Sequence, residues 1–285
     1  MINNSYFMKK MILFSFVLIL VITSGAQVKN DTVVAGRKGM FVLPGAVAFN
    51  LLNGQSDTRK LTVINRLDTK SQFRVYIGDW RRDSIGGHEY FPPGSQSYSC
   101  AKWIAVDKEL FDLEKDSSTV LTVRLQVPDS LEAIKEMKWA MVFVQLVAEN
   151  KPIEQTREVL NQVTYNFRVG VHVYQTPSTL KHVMLKMESF KPLIVMKDSM
   201  VYKISCVNMG EQQLRVKSDL EVTNLTTGEV TKSVTKEFPM FPGQRRVVYF
   251  QLPKGLAPGK YSLLATADGG EDMPLEAAVL EVDIN

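Results

Sequence analysis

Few side chains in this sequence have the type and spacing that catalysis or metal binding requires. The three histidines, His88, His172 and His182, are far apart along the chain, and none stands at a metal-ligand spacing from another histidine, a cysteine or a carboxylate. His88 is followed by Glu89 but not by the second histidine that completes a zinc-protease helix. From spacing alone, the sequence predicts no metal centre and no cofactor.

One short acidic segment remains as a candidate for chemistry. It holds Asp79, Asp83, His88 and Glu89. A solvated loop is the favoured interpretation, and a calcium site or a pair of catalytic carboxylates stays open beside it. The sequence has neither a Gly-x-Ser-x-Gly nucleophile elbow nor a glycine-rich phosphate loop. We therefore predict that the protein is not an enzyme.

The two cysteines, Cys100 and Cys206, are too few to make a disulfide framework. Cys206 alternates with Tyr202 and Ile204, so we expect it to face a core, where a free thiol behaves as a small apolar group. A bridge between the two cysteines is the alternative. It would close a loop of about 100 residues and contribute at most roughly 4 to 5 kcal/mol in the chain-entropy model.

Residues 1–26 have the pattern of a secretory signal peptide. Lys9 and Lys10 precede an apolar run from Ile12 to Ile22, and small residues end the segment at Ala26. The run is shorter than the roughly 20 residues of a membrane span. We therefore favour cleavage after Ala26 over a transmembrane anchor, and expect a periplasmic protein with no membrane span in the mature chain.

The charge balance argues against a nucleic-acid partner. Removal of the leader with its two lysines lowers the formal net charge from +4 to +2. Such a balance does not supply the basic face that neutralises phosphates. We therefore expect no nucleic-acid partner.

Apolar and polar residues alternate with a period of two along most of the chain after the leader, which predicts β-strands. The longest clean alternation runs from Val163 to Val173. Residues Ser130 to Lys138 have room for no more than a short helical turn. Further strands are predicted at 61–65, 73–77, 120–127, 139–147, 200–207, 214–223, 229–236, 246–252, 261–266 and 275–282.

Short strands separated by glycine and proline turns predict an all-β protein, with two immunoglobulin-like β-sandwich domains in tandem after a cleaved signal peptide. Pro177 ends the long alternation, so we place the domains at 27–177 and 178–285. A hairpin turn is predicted at 225–228. The polar segment 148–162 is predicted to be a long exposed loop.

Two tryptophans and one apolar turn are large apolar features that could be buried or could bind a partner. Trp139 begins an apolar strand and is predicted to lie in a core. Trp80 is flanked by Arg81 and Arg82. It is either a surface aromatic that binds a partner or part of a loop folded over the open end of a sandwich, and we favour the second. The same two alternatives apply to the apolar turn at 238–243.

Several segments of the first predicted domain together resemble a known family. These are the opening at 41–45, the strand that ends at Asn65, the segment 125–128, and the polar loop followed by the alternating strand that ends at Pro177. In this order they resemble the periplasmic pilus (fimbrial) chaperones of the PapD-like superfamily. The segments 78–83 and 170–177 resemble a chaperone-like branch from Bacteroidetes.

The resemblance implies a mechanism of binding. Chaperones of this family lend an alternating strand to an incomplete partner sandwich, and basic residues in the interdomain cleft hold the partner's terminal carboxylate. Carried onto this chain, the basic residue of the lent strand would be Arg168, and the partner an exported pilin-like or surface subunit. The side chains that would enter the partner's groove are Val163, Tyr165, Phe167, Val169 and Val171.

Two alternatives to this interpretation stay open. The apolar face of the 163–173 strand could pack in the protein's own sandwich, as that of any strand can, and Arg168 could be a solvated charge. The protein could also be a structural subunit of an envelope or cell-surface complex that uses its immunoglobulin-like domains as rigid modules.

Overall fold

The computed structural model describes residues 37–147, 167–196, 199–270 and 273–284. The predicted signal peptide at 1–26 and the predicted polar loop at 148–162 lie outside these residues. Regular structure in the described ranges is almost entirely strand. None of their helices has the length and apolar character needed to cross a membrane.

Ten strands and two 3-10 turns build a first sandwich. The turns are Ala101–Trp103 and Leu131–Ile134, and the second confirms the short helical turn predicted after Ser130. The strands are β1 (Gly39–Leu43), β2 (Ala46–Phe49), β3 (Ser56–Arg66), β4 (Ser71–Arg82), β5 (His88–Phe91), β6 (Ile104–Val106), β7 (Leu110–Leu113), β8 (Ser118–Gln126), β9 (Lys138–Leu146) and β10 (Arg168–Gln175).

These strands form two sheets that face each other. One sheet has the order β1-β3-β8-β6, and the other has the order β2-β10-β9-β4-β5 with β7 paired to β4. The chain changes sheets between β1 and β2, and β2 then runs parallel to β10. The core between the sheets is apolar and includes Phe49, Leu61, Val63, Phe73, Leu121 and Val142.

Eight further strands build a second sandwich with a separate core. Its sheets have the orders β11-β12-β16 and β14-β13-β17-β18, with β15 paired to β13. The strands are β11 (Leu185–Met196), β12 (Ser199–Asn208), β13 (Leu214–Asn224), β14 (Val230–Lys232), β15 (Lys236–Met240), β16 (Arg245–Gln251), β17 (Gly259–Asp268) and β18 (Glu276–Ile284). The predicted turn at 225–228 joins β13 to β14 as a hairpin, and Gly228 takes a φ of 75° there.

Strand pairing separates the two sandwiches. No described strand of β1 to β10 pairs with a strand of β11 to β18, and the connection between them spans residues 176–184. The predicted fold class, two immunoglobulin-like sandwiches in an all-β chain, is confirmed by this sheet order. The boundary predicted after Pro177 falls within the connection.

The two cysteines lie in different cores. Cys100 is buried in the first core and Cys206 in the second, and both are free thiols. The prediction that Cys206 faces a core is confirmed. Burial raises the pKa of the Cys206 thiol to about 12 and raises that of Cys100 as well, because an apolar surrounding disfavours the thiolate.

Each sandwich contains a buried asparagine at or near the end of a strand whose side chain bonds the backbone of other segments. Asn65 donates Nδ2 hydrogen bonds of 3.0 Å to the carbonyl oxygens of Thr69 and Leu113. Asn208, the last residue of β12, donates in the same way to two carbonyl oxygens at 2.8 and 3.0 Å. These side chains therefore tie backbone carbonyl groups of separate segments to the strand that carries the asparagine.

Replacement of Asn65 by alanine should therefore destabilise the protein. We expect Asn65→Ala to lower the free energy of unfolding by about 2–3 kcal/mol, because buried carbonyl groups lose their donor. Urea denaturation measures this change. Asn53→Ala is the matched control, since Asn53 makes an exposed bond to Asp129. An equal loss in both variants would contradict this account of Asn65.

Candidate functional site

Strand β10 is paired along its whole length on one side only. It pairs with β9 from Arg168 to Gln175, but with β2 only from His172 to Gln175. No other strand of the described residues pairs with the β2 side of residues 168–171. Half of β10 therefore presents a backbone edge that β2 does not cover.

Hydrogen bonds show which backbone groups point to that edge. Leu146 N donates to Phe167 O at 2.9 Å, so residue 167 bonds toward β9, and His172 N donates to Gly45 O at 3.1 Å, on the side of β2. Because bonding direction alternates along an antiparallel strand, the backbone groups of Arg168 and Gly170 point to the uncovered edge. An extended segment of another chain could pair with them.

The apolar side chains predicted to enter a partner have different environments. Phe167 is 64% exposed, and Val169 is partly buried against the first core. Val171 is fully buried in that core, so its side chain belongs to the protein's own sandwich and is not available to a partner in this arrangement. Val163 and Tyr165 lie outside the described residues.

Arg168 is exposed, but its guanidinium has a defined position. Its carbon lies 4.6 Å from the centroid of the Tyr90 ring and 4.8 Å from that of Phe143. Nη1 also donates to the hydroxyl oxygen of Tyr76 at 3.1 Å. The cation therefore rests on an aromatic surface beside the uncovered edge, a cation–π arrangement.

The hairpin that β4 and β5 form, residues 79–91, supplies Tyr90 to that aromatic surface. Trp80 anchors the hairpin, because its Nε1 donates to Ala140 O at 3.0 Å while Trp139 Nε1 donates to Trp80 O at 2.9 Å. Both indoles are buried. The prediction that Trp139 is a core residue is confirmed, and the alternative of a surface Trp80 is wrong.

The second sandwich packs on this hairpin through Phe241. The Phe241 ring, buried at 2% exposure, lies 5.2 Å from Trp80 and 4.8 Å from Trp139 between centroids. Two polar contacts flank it, from Gln244 Nε2 to Arg82 O at 3.1 Å and from Val247 N to Ser84 O at 2.7 Å. The apolar turn predicted at 238–243 thus contributes a buried residue rather than a free binding tip.

A cavity of about 420 Å³ lies at this junction. Its apolar wall is formed by Tyr98, Trp139, Phe241 and Pro242. Two of its cations are paired to carboxylates, Arg81 to Glu89 and Arg245 to Glu188. The hydroxyl of Tyr98 is buried without a hydrogen-bond partner, and burial raises its pKa to about 12.

The acidic segment singled out in the sequence does not form one site. Asp79 is fully buried and accepts hydrogen bonds from Ser95 N at 2.8 Å and Gln96 N at 3.0 Å. Asp83 accepts from backbone amides of its own turn, and Glu89 pairs with Arg81. Nowhere in the described ranges do three histidine, cysteine or carboxylate side chains gather as a metal site would require.

The fold instead brings together two histidines that the sequence kept apart. His88 Nε2 and His172 Nε2 are 3.3 Å from each other. Burial, His88 and Arg82 lower the pKa of His172 to about 4, and burial and Arg82 lower that of His88. Their separation of 84 residues carries no motif, so only the folding of the hairpin over β10 reveals the pair.

Amide hydrogen exchange should report the uncovered edge directly. We expect the amides of Arg168 and Gly170 to exchange fast, and those of Val169 and Val171 to exchange slowly, because only the second pair bonds to β9. NMR exchange on the isolated protein measures all four. Protection of His172, whose amide bonds to Gly45, is the internal control, and uniform protection of 168–171 would show that another segment covers the edge.

The junction can be tested at Phe241. Phe241→Ala should lower the free energy of unfolding by about 3–5 kcal/mol and shift tryptophan emission to longer wavelength, because Trp80 and Trp139 lose their apolar cover. Denaturant titration and fluorescence measure both effects. Tyr249→Ala, at an aromatic residue that is 40% exposed, is the control and should change neither. Unchanged emission in the Phe241 variant would contradict the described packing.

Comparison with known proteins gives similarities in structure only. No protein-family model matches the chain, and a search of the curated proteins found no match. Similar solved structures include a chaperone–tip adhesin complex of CFA/I fimbriae biogenesis (12% identity, 85% of this chain and 98% of that chain, TM-score 0.46). They also include the E. coli chaperone DraB (13%, 87% and 97%, TM-score 0.40) and the Pseudomonas aeruginosa CupB2 chaperone (14%, 86% and 100%, TM-score 0.41).

Proposed function

We propose that this chain is a periplasmic, chaperone-like binding protein that holds or delivers an exported subunit by β-strand addition. The observation that carries the proposal is the edge of β10 at residues 168–171, which β9 pairs on one side and β2 leaves uncovered on the other. The resemblance of the sequence to pilus chaperones and the predicted leader at 1–26 support the same proposal.

The edge has the properties that strand addition needs. The backbone groups of Arg168 and Gly170 supply directional hydrogen bonds, and an unpaired edge is a template for another chain. Phe167, exposed at the end of the strand, adds an apolar contact next to them. Val169 shares the face of Phe167 and is only partly buried. The two side chains can therefore contact apolar residues of the partner.

The partner that fits this edge is a protein whose sandwich lacks a strand and can accept an extended, alternating one from another chain. A pilin-like or surface subunit with an incomplete sandwich is such a protein. In that complex Arg168 is the cation available for the partner's carboxylate, and it would leave its position over Tyr90 and Phe143 to reach that group. Val163 and Tyr165 would extend the apolar face toward the start of the strand.

A second candidate function is that of a structural subunit in an envelope complex. The observation that favours it is the junction at Phe241, which packs the second sandwich on a hairpin of the first. Residues 36–285 accordingly form one compact unit. A rigid two-sandwich module of this kind can serve as a spacer.

Capture of a partner by a Phe167 variant distinguishes the two functions. Tagged mature protein is recovered from its native periplasm, and bound proteins are identified by mass spectrometry. We expect the wild type to carry one subunit at 1:1 stoichiometry and Phe167→Asp to lose it, because a carboxylate at that position opposes insertion into an apolar groove.

The matched control is Leu131→Asp, since Leu131 is 70% exposed in a 3-10 turn of the same sandwich. Both variants should keep the unfolding midpoint of the wild type, because neither wild-type side chain is buried. In the complex, the amides of Arg168 and Gly170 should become protected from exchange. Equal capture by both variants, with these amides still exchanging fast, would reject strand addition and favour the structural subunit.

A further inference from the structure

We propose that Arg82 and Arg246 form a binding site for an inorganic oxyanion, phosphate or sulfate, at the junction of the two sandwiches. Arg82 is the last residue of β4, and Arg246 lies in β16 of the second sandwich. An anion held by both residues links two segments that already contact each other, since Val247 N donates to Ser84 O there. The site does not depend on strand addition, because neither guanidinium belongs to the uncovered edge of β10.

The two guanidinium groups meet at the turn that contains Gly86. Arg82 Nη1 donates to Gly86 O at 3.0 Å. The guanidinium of Arg246 packs against the same glycine so closely that a β-carbon on residue 86 would overlap Nη1 and Nη2. Burial and the positive charge of Arg82 lower the pKa of Arg246. Two like charges are thus held side by side, and an anion between them removes the repulsion.

Hydrogen-bond donors of both side chains are left without acceptors. Nε of Arg82, and Nε and Nη1 of Arg246, are buried, and within the described residues none of the three has a partner. A buried charged donor without an acceptor is costly, and a bound ion is one of the few groups that satisfy it. Both side chains are only partly buried as a whole, so a rotation of each guanidinium brings these donors to an anion that arrives from solvent.

Neighbouring arginines show that this lack of partners is specific to the proposed site. The arginine that precedes each member in the sequence is paired, Arg81 with Glu89 and Arg245 with Glu188. Over the ranges that the structure describes, neither member of the proposed site makes such an ion pair. The acidic side chain nearest in sequence, Asp83, accepts hydrogen bonds from amides of its own turn. The positive charge of the site is therefore not balanced by the chain itself.

A tetrahedral oxyanion suits two guanidinium groups that come from different elements. Each group bonds oxyanions through paired N–H donors. A carboxylate has two oxygens in one plane and matches one such fork, whereas phosphate and sulfate direct oxygens toward both forks at once. Arg82 also lies on the wall of the cavity of about 420 Å³, together with Ser84 and Gln244. The cavity gives the anion a path to the site and further polar neighbours.

Phosphate titration followed by NMR tests the site. The mature protein, in a chloride-free HEPES buffer, is titrated with sodium phosphate at constant ionic strength. We expect saturable shifts of the amides of Gly86 and Val247, with one phosphate bound per chain. Arg82→Gln and Arg246→Gln should each lower the affinity about tenfold or more, because a charge-assisted donor is lost.

Two variants are matched controls for the change in charge. Arg81→Gln and Arg245→Gln remove a cation from the adjacent position of the same strands, and both should bind phosphate like the wild type. Sulfate should displace phosphate from the wild type. Acetate that binds more tightly than phosphate would overturn the assignment to a tetrahedral oxyanion, since it would make the site one for a carboxylate.

Thermal unfolding gives a second readout. Phosphate should raise the unfolding midpoint of the wild type until the site saturates and should leave that of Arg246→Gln unchanged. In phosphate-free buffer this variant should unfold no earlier than the wild type, because it removes one of two like charges; this also shows that it folds. Absence of saturable shifts in the wild type, or wild-type affinity in folded Arg82→Gln and Arg246→Gln, would overturn the proposal.

Discussion

The burial of Trp80 is the interaction on which the arrangement of the first sandwich and its neighbour depends. Its indole N–H bonds to the backbone of β9, and its own carbonyl accepts the indole N–H of Trp139. A large apolar ring is thus removed from water with its one polar group satisfied. The hairpin at 79–91 is held by this pair of bonds, and the hairpin in turn positions His88 and the surface that receives Phe241.

The uncovered part of β10 arises from a different constraint, the change of sheets between β1 and β2. A strand that crosses from one sheet to the other can cover only the part of β10 that lies beyond its crossing point, here from His172 onward. Arg168 and the aromatic rings beneath it lie beside the part that is left. The edge offers backbone groups, and the aromatic rings beside it offer side chains.

Sequence reasoning succeeded where a local pattern decides the structure. Period-two alternation located the strands around Leu61, Val123 and Leu263, and alternation within β12 placed Cys206 in a core. For Trp80 it left two alternatives and favoured a loop folded over the open end of the sandwich, whereas Trp80 lies buried within strand β4. The pairing of His88 with His172 is equally invisible in the sequence, since it depends on how a hairpin crosses a sheet.

The parallel pairing of β2 with β10 also sets the order in which the chain can complete its first sandwich. Ala46 pairs with His172, 126 positions later, so β2 has no parallel partner until nearly the whole first sandwich has been synthesised. Contacts of such long sequence separation form slowly. In a chain that emerges from its amino end, β2 therefore stays unpaired while β3 to β9 assemble. The sandwich closes only when β10 arrives, and β10 is also the strand whose edge at residues 168–171 β2 leaves uncovered.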